Sequence, residues 1–302
     1  MLEVHVVREL VVAGTGEWHH LSAASGLVKV EQRVFVVADD ENQLGLFDLS
    51  TTEPGRLLPL FDGQLPLRHD ARKAAKADCE ALLALPAFDG YPHGALMAMG
   101  SGSRPSRQRA ALVALGAAGE LQGSAQTVDL APLLEPLHDL IPDLNIEGAF
   151  VQGETLCLLQ RGNSRSAINA RIELSWRQVQ EWLVAGGPAP RPTLITPFSL
   201  GAIDGVPLSF TDGAALPDGG WLFSAAAEDT SDNYLDGLCA GSAIGIVDAE
   251  GTIRTLERIS PTCKIEGIAA ALDGNTIDLL LVTDADDRGL PALLLSASMP
   301  VS

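Results

Sequence analysis

The sequence predicts an all-β fold, a five-bladed β-propeller of four-stranded antiparallel blades. One pattern recurs five times along the 302 residues: an acidic or polar residue, a small residue, a short strand and a second, more apolar strand. The small residue falls at positions 26, 81, 148, 213 and 267, at intervals of 55, 67, 65 and 54 residues. A further 61 residues lead from 267 through the joined chain ends back to 26. Five units of similar length that use the whole chain indicate a closed ring, with six blades as the alternative.

Each unit contains runs of β-branched and aliphatic residues separated by turn signals, and these runs are the predicted strands. Residues 4–12 are predicted to form the outer strand of the last blade, where pairing with the C-terminal strands closes the ring and covers an exposed edge. The whole chain, residues 1–302, is therefore predicted to form a single domain. The other predicted strands include 27–30, 34–38, 44–49, 56–61, 95–100, 110–115, 125–131, 193–203, 208–216, 220–227, 242–248, 252–259, 265–272, 277–283 and 291–297.

Three stretches depart from the strand pattern. Residues 71–85 are rich in helix formers, but Glu80-Ala81-Leu82 falls on the repeat, so a strand is predicted there instead of a helix. Residues 133–140 lie between two prolines and are predicted to form a helical turn. Ser175-Trp-Arg-Gln178 is a capping box that opens an apolar stripe at helical spacing. It predicts a helical insertion at about 175–186, packed on the side of the propeller.

The chain is acidic, with 20 Lys and Arg against 39 Asp and Glu and a net charge of −19. This balance argues against nonspecific nucleic-acid binding and against docking on anionic membranes, because both need a basic surface. The N-terminus lacks a basic segment followed by a long apolar run, so a cytoplasmic location is predicted. The four cysteines lack C-x-x-C spacing and are predicted to be buried free thiols.

Two sets of polar residues are predicted to meet around the axis, on one face of the ring. The first strand of each blade lines the central channel, and the turn after the second, antiparallel strand returns to the face where the first strand begins. The starts of the first strands provide the inner set, which is Ser25, Glu80, Glu147, Asp212 and Glu266. The turns after the second strands provide the outer set, which is Asp39, Asp40, Ser101, Ser103, Arg161, Glu228, Asp229, Asp284 and Asp286.

The inner set contains four carboxylates that repel one another, so a cation, bound protons or nearby basic side chains must offset them. Carboxylate oxygens are the ligands that Ca²⁺ and Mg²⁺ prefer, and Ca²⁺ is the predicted ion, with Mg²⁺ as the alternative. The other interpretation is a solvated channel in which the carboxylates pair with Lys29, Lys264 or Arg161. The predicted metal ligands are Glu80, Glu147, Asp212 and Glu266.

Basic residues interrupt the acidic pattern in the equivalent turns of the second and third units. Gly100-Ser-Gly-Ser-Arg104 can present backbone N–H groups to an anion, and Arg161 and Arg165 can bind phosphate or carboxylate bidentately. Beside a cation, this patch predicts a small anionic ligand, and two solvated loops are the alternative. The residues predicted to bind the ligand are Ser25, Asp39, Ser101, Ser103, Arg104, Arg161, Glu228 and Asp284.

Three short motifs carry a resemblance to known propellers: Lys76-Ala-Asp-Cys-Glu80-Ala-Leu82, Met99-Gly-Ser-Gly-Ser-Arg104, and Leu280-Leu-Val-Thr-Asp284 after Glu266-Gly267. They resemble the bacterial phytase-like and esterase-like β-propeller families, in a branch of unknown function. In phytase-type propellers, carboxylates of the channel and face hold Ca²⁺, which in turn holds phosphate. By this resemblance the four acids of the inner set hold the ion, and Arg104 and Arg161 face the anion.

The sequence also departs from those families. It lacks the dense basic pocket that a polyphosphate substrate needs, and five units differ from the six blades usual for phytases. The longer motifs of the five-bladed, calcium-dependent apyrases are absent.

Two functions follow. The first is a ligand-binding or scaffold propeller with an acidic channel, whose partner on the channel face is a small anionic ligand or a protein. The alternative is a metal-dependent phosphoester or ester hydrolase, in which the ion polarises the substrate. The sequence shows no clear nucleophile or general base, which favours the binding function.

Overall fold

The computed structural model describes residues 1–14, 19–66, 68–163, 168–228 and 239–301. Its strands form five sheets with four principal antiparallel strands each, in chain order around a ring. The first strands of consecutive sheets contact one another, and the first strand of the fifth sheet contacts that of the first. The predicted five-bladed β-propeller is therefore confirmed, and the six-bladed alternative is wrong.

Each blade runs from the strand nearest the axis to the strand at the outer edge. Blade 1 consists of Ala24–Val30, Arg33–Ala38, Gln43–Asp48 and Arg56–Pro59. Blade 2 consists of Cys79–Leu85, Ala95–Gly100, Arg109–Leu115 and Leu121–Asp129. Blade 3 consists of Ile146–Gln152, Thr155–Gln160, Asn169–Ser175 and Leu194–Phe198. Blade 4 consists of Val206–Ala215, Trp221–Glu228, Cys239–Val247 and Ile253–Ser260. Blade 5 consists of Ile265–Asp273, Thr276–Thr283, Leu293–Pro300 and His5–Glu9.

The N-terminal segment closes the ring, as the sequence predicts. His5–Glu9 pairs antiparallel with Leu293–Pro300 and so completes blade 5. The preceding strand, Leu2–Glu3, pairs in parallel with the outer strand of blade 4, which the sequence did not predict. A bridge between Val12 and Gly55 then joins the same segment to blade 1. The first residues of the chain therefore connect three consecutive blades.

A β-bulge in every innermost strand positions the central side chains. At each bulge the strand pairing skips one residue of the innermost strand. A bulge kinks its strand locally and re-aims the side chain of the extra residue. The five bulged residues are Ser25, Glu80, Glu147, Thr211 and Glu266.

The bulge in blade 4 corrects one sequence prediction by one residue. Thr211, not Asp212, is the counterpart of the bulged glutamates. Both oxygens of the buried Asp212 carboxylate accept backbone N–H groups, Oδ1 from Gly213 at 2.7 Å and Oδ2 from Ile268 at 3.0 Å. Asp212 therefore ties blade 4 to blade 5. Asp212-Gly213 resembles the dipeptides Glu147-Gly148 and Glu266-Gly267 in sequence. This similarity explains why the repeat was placed one residue too far along the chain in blade 4.

A small residue follows the bulge in the other four blades because neighbouring innermost strands approach closely. A Cβ atom on Gly26 would lie 2.9 Å from the backbone nitrogen of Leu82. One on Gly148 would lie 2.7 Å from the Cα of Asp212, and one on Gly267 would lie 3.0 Å from the Cα of Gly26. These distances are shorter than van der Waals contact. The recurring acid–small pair in the sequence thus reflects packing around the axis.

Two helices form where the sequence predicts them, whereas the helix at His69–Ala75 and the 3₁₀ helix at Pro105–Arg107 were not predicted. The helical tendency of residues 71–85 is real only at their start: helix α1 spans His69–Ala75, and the predicted strand begins at Cys79. Helix α2 spans Ala131–His138, and a short 3₁₀ helix spans Pro105–Arg107. Helix α3 spans Trp176–Ala185, where the Ser175 Oγ accepts the Gln178 N–H at 3.5 Å, as the capping box predicts.

Apolar clusters fill the spaces between adjacent blades. The predicted outer strand 193–203 is split into Leu194–Phe198 and Ala202–Ile203. Cys79 and Cys157 are buried free thiols, whereas Cys239 and Cys263 are free but only half-buried. None of the helices in the described parts of the chain is long and apolar enough to span a membrane.

Candidate functional site

A cavity of about 340 Å³ lies on the axis, on the face where the innermost strands begin. Residues from all five blades or the segments that join them line it, and its described lining contains ten Asp and Glu and seven Lys and Arg side chains. Ala23 is the only apolar residue of this lining, although carbon atoms of the charged side chains also face the cavity. The cavity therefore suits a small polar or charged molecule rather than an apolar one.

Blades 3, 4 and 5 contribute a set of paired charges that we call the Lys264 network: Glu147, Arg161, Glu228, Lys264 and Glu266. Arg161 donates to Glu147 at 3.1 Å and also contacts Glu228. The Nζ of Lys264 lies 2.7 Å from Glu228 and 3.1 Å from Glu266. The same ammonium also lies 3.2 Å from Asp284 and 3.1 Å from Asp286. Each of the three glutamates therefore has a cationic partner.

The charges of the Lys264 network set its pKa values. Burial raises the pKa of Glu266 to about 8, against the opposing effect of Lys264 and Arg161. Burial acts in the same direction on Glu228, but Arg161 and Lys264 together hold its pKa below the usual value. Lys264 is buried too, yet the surrounding carboxylates raise its pKa well above the ordinary one. Lys264 is therefore a permanent ammonium and not a nucleophile.

Blades 1 and 2 contribute a second set, the Asp78 network: Asp39, Lys76, Asp78 and Arg107. Lys76 contacts Asp39 and lies 2.9 Å from the Oδ1 of Asp78. The buried Arg107 donates to the Oδ2 of Asp78 at 2.6 Å. Ser101 donates to the same oxygen at 2.6 Å. Both carboxylate oxygens of Asp78 thus have partners, and Asp78 is itself part of the cavity wall.

Glu80 lies beside the Asp78 network without joining it. Within the described ranges its carboxylate has no hydrogen bond or ion pair, although it lines the cavity. One oxygen each of Asp39, Asp78 and Glu80 lie within 4.8 Å of one another. Burial and the nearby charge of Glu147 raise the pKa of Glu80 well above its usual value.

Three carboxyl groups of the cavity titrate near neutral pH. Burial raises the pKa of Asp284 to about 6 and that of Asp40 to about 7, and Glu266 follows at about 8. These groups can give up or take a proton when a charged molecule enters the cavity.

The structure brings together eight of the twelve predicted site residues. The eight that line the cavity are Ser25, Asp39, Glu80, Glu147, Arg161, Glu228, Glu266 and Asp284.

Four predicted site residues do not line the cavity. Asp212 is held by backbone N–H groups between blades 4 and 5. Ser101 and Ser103 bond to each other at 2.9 Å and support Asp78 and Arg107 from behind. Arg104 is exposed at the start of the 3₁₀ helix. Two further predicted residues, Asp229 and Arg165, lie outside the described residues.

Sequence reasoning missed the roles of Lys76, Asp78 and Asn145 in the cavity wall. A usable signal was present, because Asp78 and Asn145 stand two positions before the bulged glutamates Glu80 and Glu147. Alternate residues of a strand share a face, so such residues approach the glutamate that follows. Lys76 comes from the end of α1 instead, where no repeat marks it.

Comparisons with solved structures show the fold. The glutaminyl cyclase of Myxococcus xanthus is 13% identical, with 100% of this chain and 98% of that chain covered and a TM-score of 0.51. A luciferin-regenerating enzyme is 9% identical, with 99% and 95% covered and a TM-score of 0.46. A glycosyl hydrolase from Bacteroides ovatus is 10% identical, with 93% and 84% covered and a TM-score of 0.46. At these identities the likeness concerns the propeller alone.

No curated protein matches the chain. The resemblance to phytase-like propellers stays a prediction, since the comparison with the glutaminyl cyclase supports the fold alone. One family profile does match, over residues 20–299, and this covers nearly the whole propeller. The chain belongs to that family, the family of unknown function DUF6929.

Proposed function

We propose that the protein is a ligand-binding propeller whose central cavity takes a small, charged, polar molecule. One observation carries this proposal: all five blades or the segments that join them contribute to a single axial cavity lined by opposite charges. Its volume of about 340 Å³ falls at the lower end of the range for small-molecule sites, which is about 300–1,000 Å³.

The cavity wall is held in place before any ligand arrives. The Lys264 network joins blades 3, 4 and 5 through ion pairs of 2.7–3.1 Å, and the Asp78 network anchors the opposite wall at 2.6 and 2.9 Å. A wall of fixed charges loses little conformational freedom on binding, which favours affinity and selectivity. The rigid wall supports a binding role better than a scaffold role without a ligand.

A metal ion, Ca²⁺ or alternatively Mg²⁺, is the alternative occupant of one place in this cavity. The carboxylate oxygens of Asp39, Asp78 and Glu80 are close enough to share an ion. Glu147 and Glu266 already have Arg161 and Lys264 as partners, so the predicted ring of four ligands does not form one coordination sphere. A metal-dependent hydrolase is the second candidate, and it requires an ion at the three-carboxylate group.

A cavity-blocking variant tests the proposal. We expect a panel of Ca²⁺, Mg²⁺, phosphate, amines, amino acids and sugars to contain compounds that raise the melting temperature of the wild type. Ala23→Trp places an indole in the cavity and should abolish those shifts, whereas Ala249→Trp, at an exposed turn, should retain them. A panel without any shift, or equal shifts in Ala23→Trp, would contradict the proposal. A shift with Ca²⁺ that a chelator reverses would then justify a screen for phosphoester hydrolysis.

A further inference from the structure

The five bulged residues occupy equivalent backbone positions, and the protein itself provides a hydrogen-bond or ion-pair partner for the side chains of four of them. Ser25 donates to the backbone oxygen of Ala23 at 3.3 Å. Thr211 is 2.9 Å from the backbone oxygen of Ile265 and 2.8 Å from the Oγ of Ser224. The other two are glutamates of the Lys264 network, each with a cation at 3.1 Å.

Glu80 is the fifth bulged residue, and no described residue forms a hydrogen bond or an ion pair with its carboxylate. Its carboxylate oxygens face the cavity and are not among the oxygens sealed within the protein. Polar groups inside proteins almost always have a hydrogen-bond partner. The Glu80 carboxylate is half-buried and open to the cavity, so its partner must be solvent or a molecule that enters the cavity.

The local charge indicates what kind of molecule fits. With all three acids ionised, Asp39, Asp78 and Glu80 face two cations, Lys76 and Arg107, and the group has a charge of −1. A cation that binds beside Glu80 opposes the raised pKa of this carboxyl and favours its ionised form. Neighbouring carboxylates raise the pKa of Lys76 despite its burial, so its charge persists. A monovalent cation balances this group, whereas Ca²⁺ would leave an excess positive charge beside the Lys76 ammonium.

The size of the cavity indicates an organic molecule. A volume of about 340 Å³ is roughly ten times the share of one water molecule in the liquid, which is far more than a monovalent metal ion occupies. A primary ammonium offers three N–H donors, and Glu80 and Asp39 can accept from it while Asp78 keeps its bonds to Lys76, Arg107 and Ser101.

We propose that the cavity binds a small organic amine whose ammonium group donates hydrogen bonds to the Glu80 carboxylate. This inference rests on the proposed function, because it names the chemical class of the ligand for the same cavity. Asp39 is the second acceptor within reach, and the rest of the ligand lies along the polar wall of blades 3, 4 and 5.

Paired probes and one conservative substitution test the inference. The probes are 1,4-diaminobutane and ethanolamine, with the uncharged analogues 1,4-butanediol and ethylene glycol. We expect calorimetric binding of the amines to the wild type and none of the diols. Glu80→Gln keeps the shape of the side chain and should weaken amine binding about tenfold to a hundredfold, the effect of losing one charge-assisted hydrogen bond. Glu154→Gln, at an exposed turn, is the matched control and should bind like the wild type.

The outcomes separate this inference from the proposed function. Amine binding that is unchanged in Glu80→Gln overturns the inference, as does Ca²⁺ binding that Glu80→Gln abolishes while amines do not bind. If amines fail but phosphate or a sugar stabilises the wild type and not Ala23→Trp, the inference fails and the cavity is still a ligand site. If every compound that stabilises the wild type stabilises Ala23→Trp equally, both the inference and the proposed function fail.

Discussion

The two halves of the central cavity treat buried carboxylates differently. In the Lys264 network, a single ammonium contacts Glu228 and Glu266, and Arg161 contacts Glu147. In the Asp78 network, both cations form ion pairs with aspartates, and neither forms one with Glu80. The first half is closed, because all three of its glutamates are paired and the pairs hold three blades together. The second half is open, because Glu80 faces the cavity without a described partner.

The residue two positions before each bulged glutamate explains this difference. Lys264 precedes Glu266 and lies 3.1 Å from it. Asn145 precedes Glu147 and donates to it. Asp78 precedes Glu80 and repels it, because both are acids. The environments of the three bulged glutamates therefore differ because a different side chain stands two positions before each of them.

The largest effect is expected when the closed half loses its central cation. Lys264→Met leaves Glu228 and Glu266 buried without their shared partner, which should lower the free energy of unfolding by about 3–5 kcal/mol. Urea denaturation measures the change. Arg254→Met, which removes an exposed pair with Asp248, is the control and should cost less than about 1 kcal/mol. A loss for Lys264→Met as small as that of the control would show that the network does not hold the blades.

The same substitution in the open half should cost less. In Lys76→Met, Asp78 keeps its bonds to Arg107 and Ser101, so we expect a loss of about 1–3 kcal/mol. The variant should also gain Ca²⁺ binding, because the ammonium no longer competes at the three-carboxylate group. Melting temperatures with and without Ca²⁺ measure both effects. A wild type that responds to Ca²⁺ as strongly as Lys76→Met would refute the charge argument.

A change of packing without a change of charge tests the geometry of the closed half. In Gly148→Ala, the new Cβ meets the Cα of Asp212 at 2.7 Å, and backbone must move. We expect a loss of about 1–3 kcal/mol of unfolding free energy, typical of overpacking. Gly14→Ala, where nothing lies within 4 Å of the added Cβ, should remain close to the wild type. Equal stability of the two variants in urea would contradict the close approach of blades 3 and 4.

The smallest expected effect is a change in pH dependence. The folded-state pKa of Glu266, about 8, lies above its ordinary value of 4.5. The folded protein therefore binds more protons than the unfolded chain in this interval, and stability falls as pH rises from 4.5 to about 8. Asp284 and Asp40 act in the same direction, with the change complete near pH 6 and 7.

Glu266→Gln should therefore flatten the decline in melting temperature between pH 5 and pH 8.5, most clearly above pH 7. Glu154→Gln should follow the wild type throughout this range. A slope that is identical in Glu266→Gln and the wild type would mean that Glu266 is ionised in the folded protein at neutral pH.

The blades were predictable from sequence because one physical constraint recurs. Innermost strands approach closely around the axis, so Gly26, Gly148 and Gly267 follow the bulged residue, and their spacing counts the blades. The N-terminal strand followed from the same count, since the last unit lacked its outer strand. The helix at Ser175 followed from its capping box, which is local chemistry.

The candidate site was predictable only in part because partners come from outside the repeat. Lys76 reaches Asp39 and Asp78 from the end of a short helix, and Arg107 comes from a 3₁₀ turn. Asp212 misled the prediction, because an acid–Gly pair one residue out of register cannot be recognised without the strand pairing. Which carboxylate lacks a partner depends on contacts between blades, and the residue two positions before each glutamate gives only part of that information.

The most direct test of the central claim is a crystal structure of the protein saturated with 1,4-diaminobutane. We expect an amino nitrogen about 2.7–2.9 Å from a Glu80 carboxylate oxygen, with the Lys264 network unchanged. An empty cavity under saturating amine, or a metal ion bound jointly by Asp39, Asp78 and Glu80, would contradict the proposal.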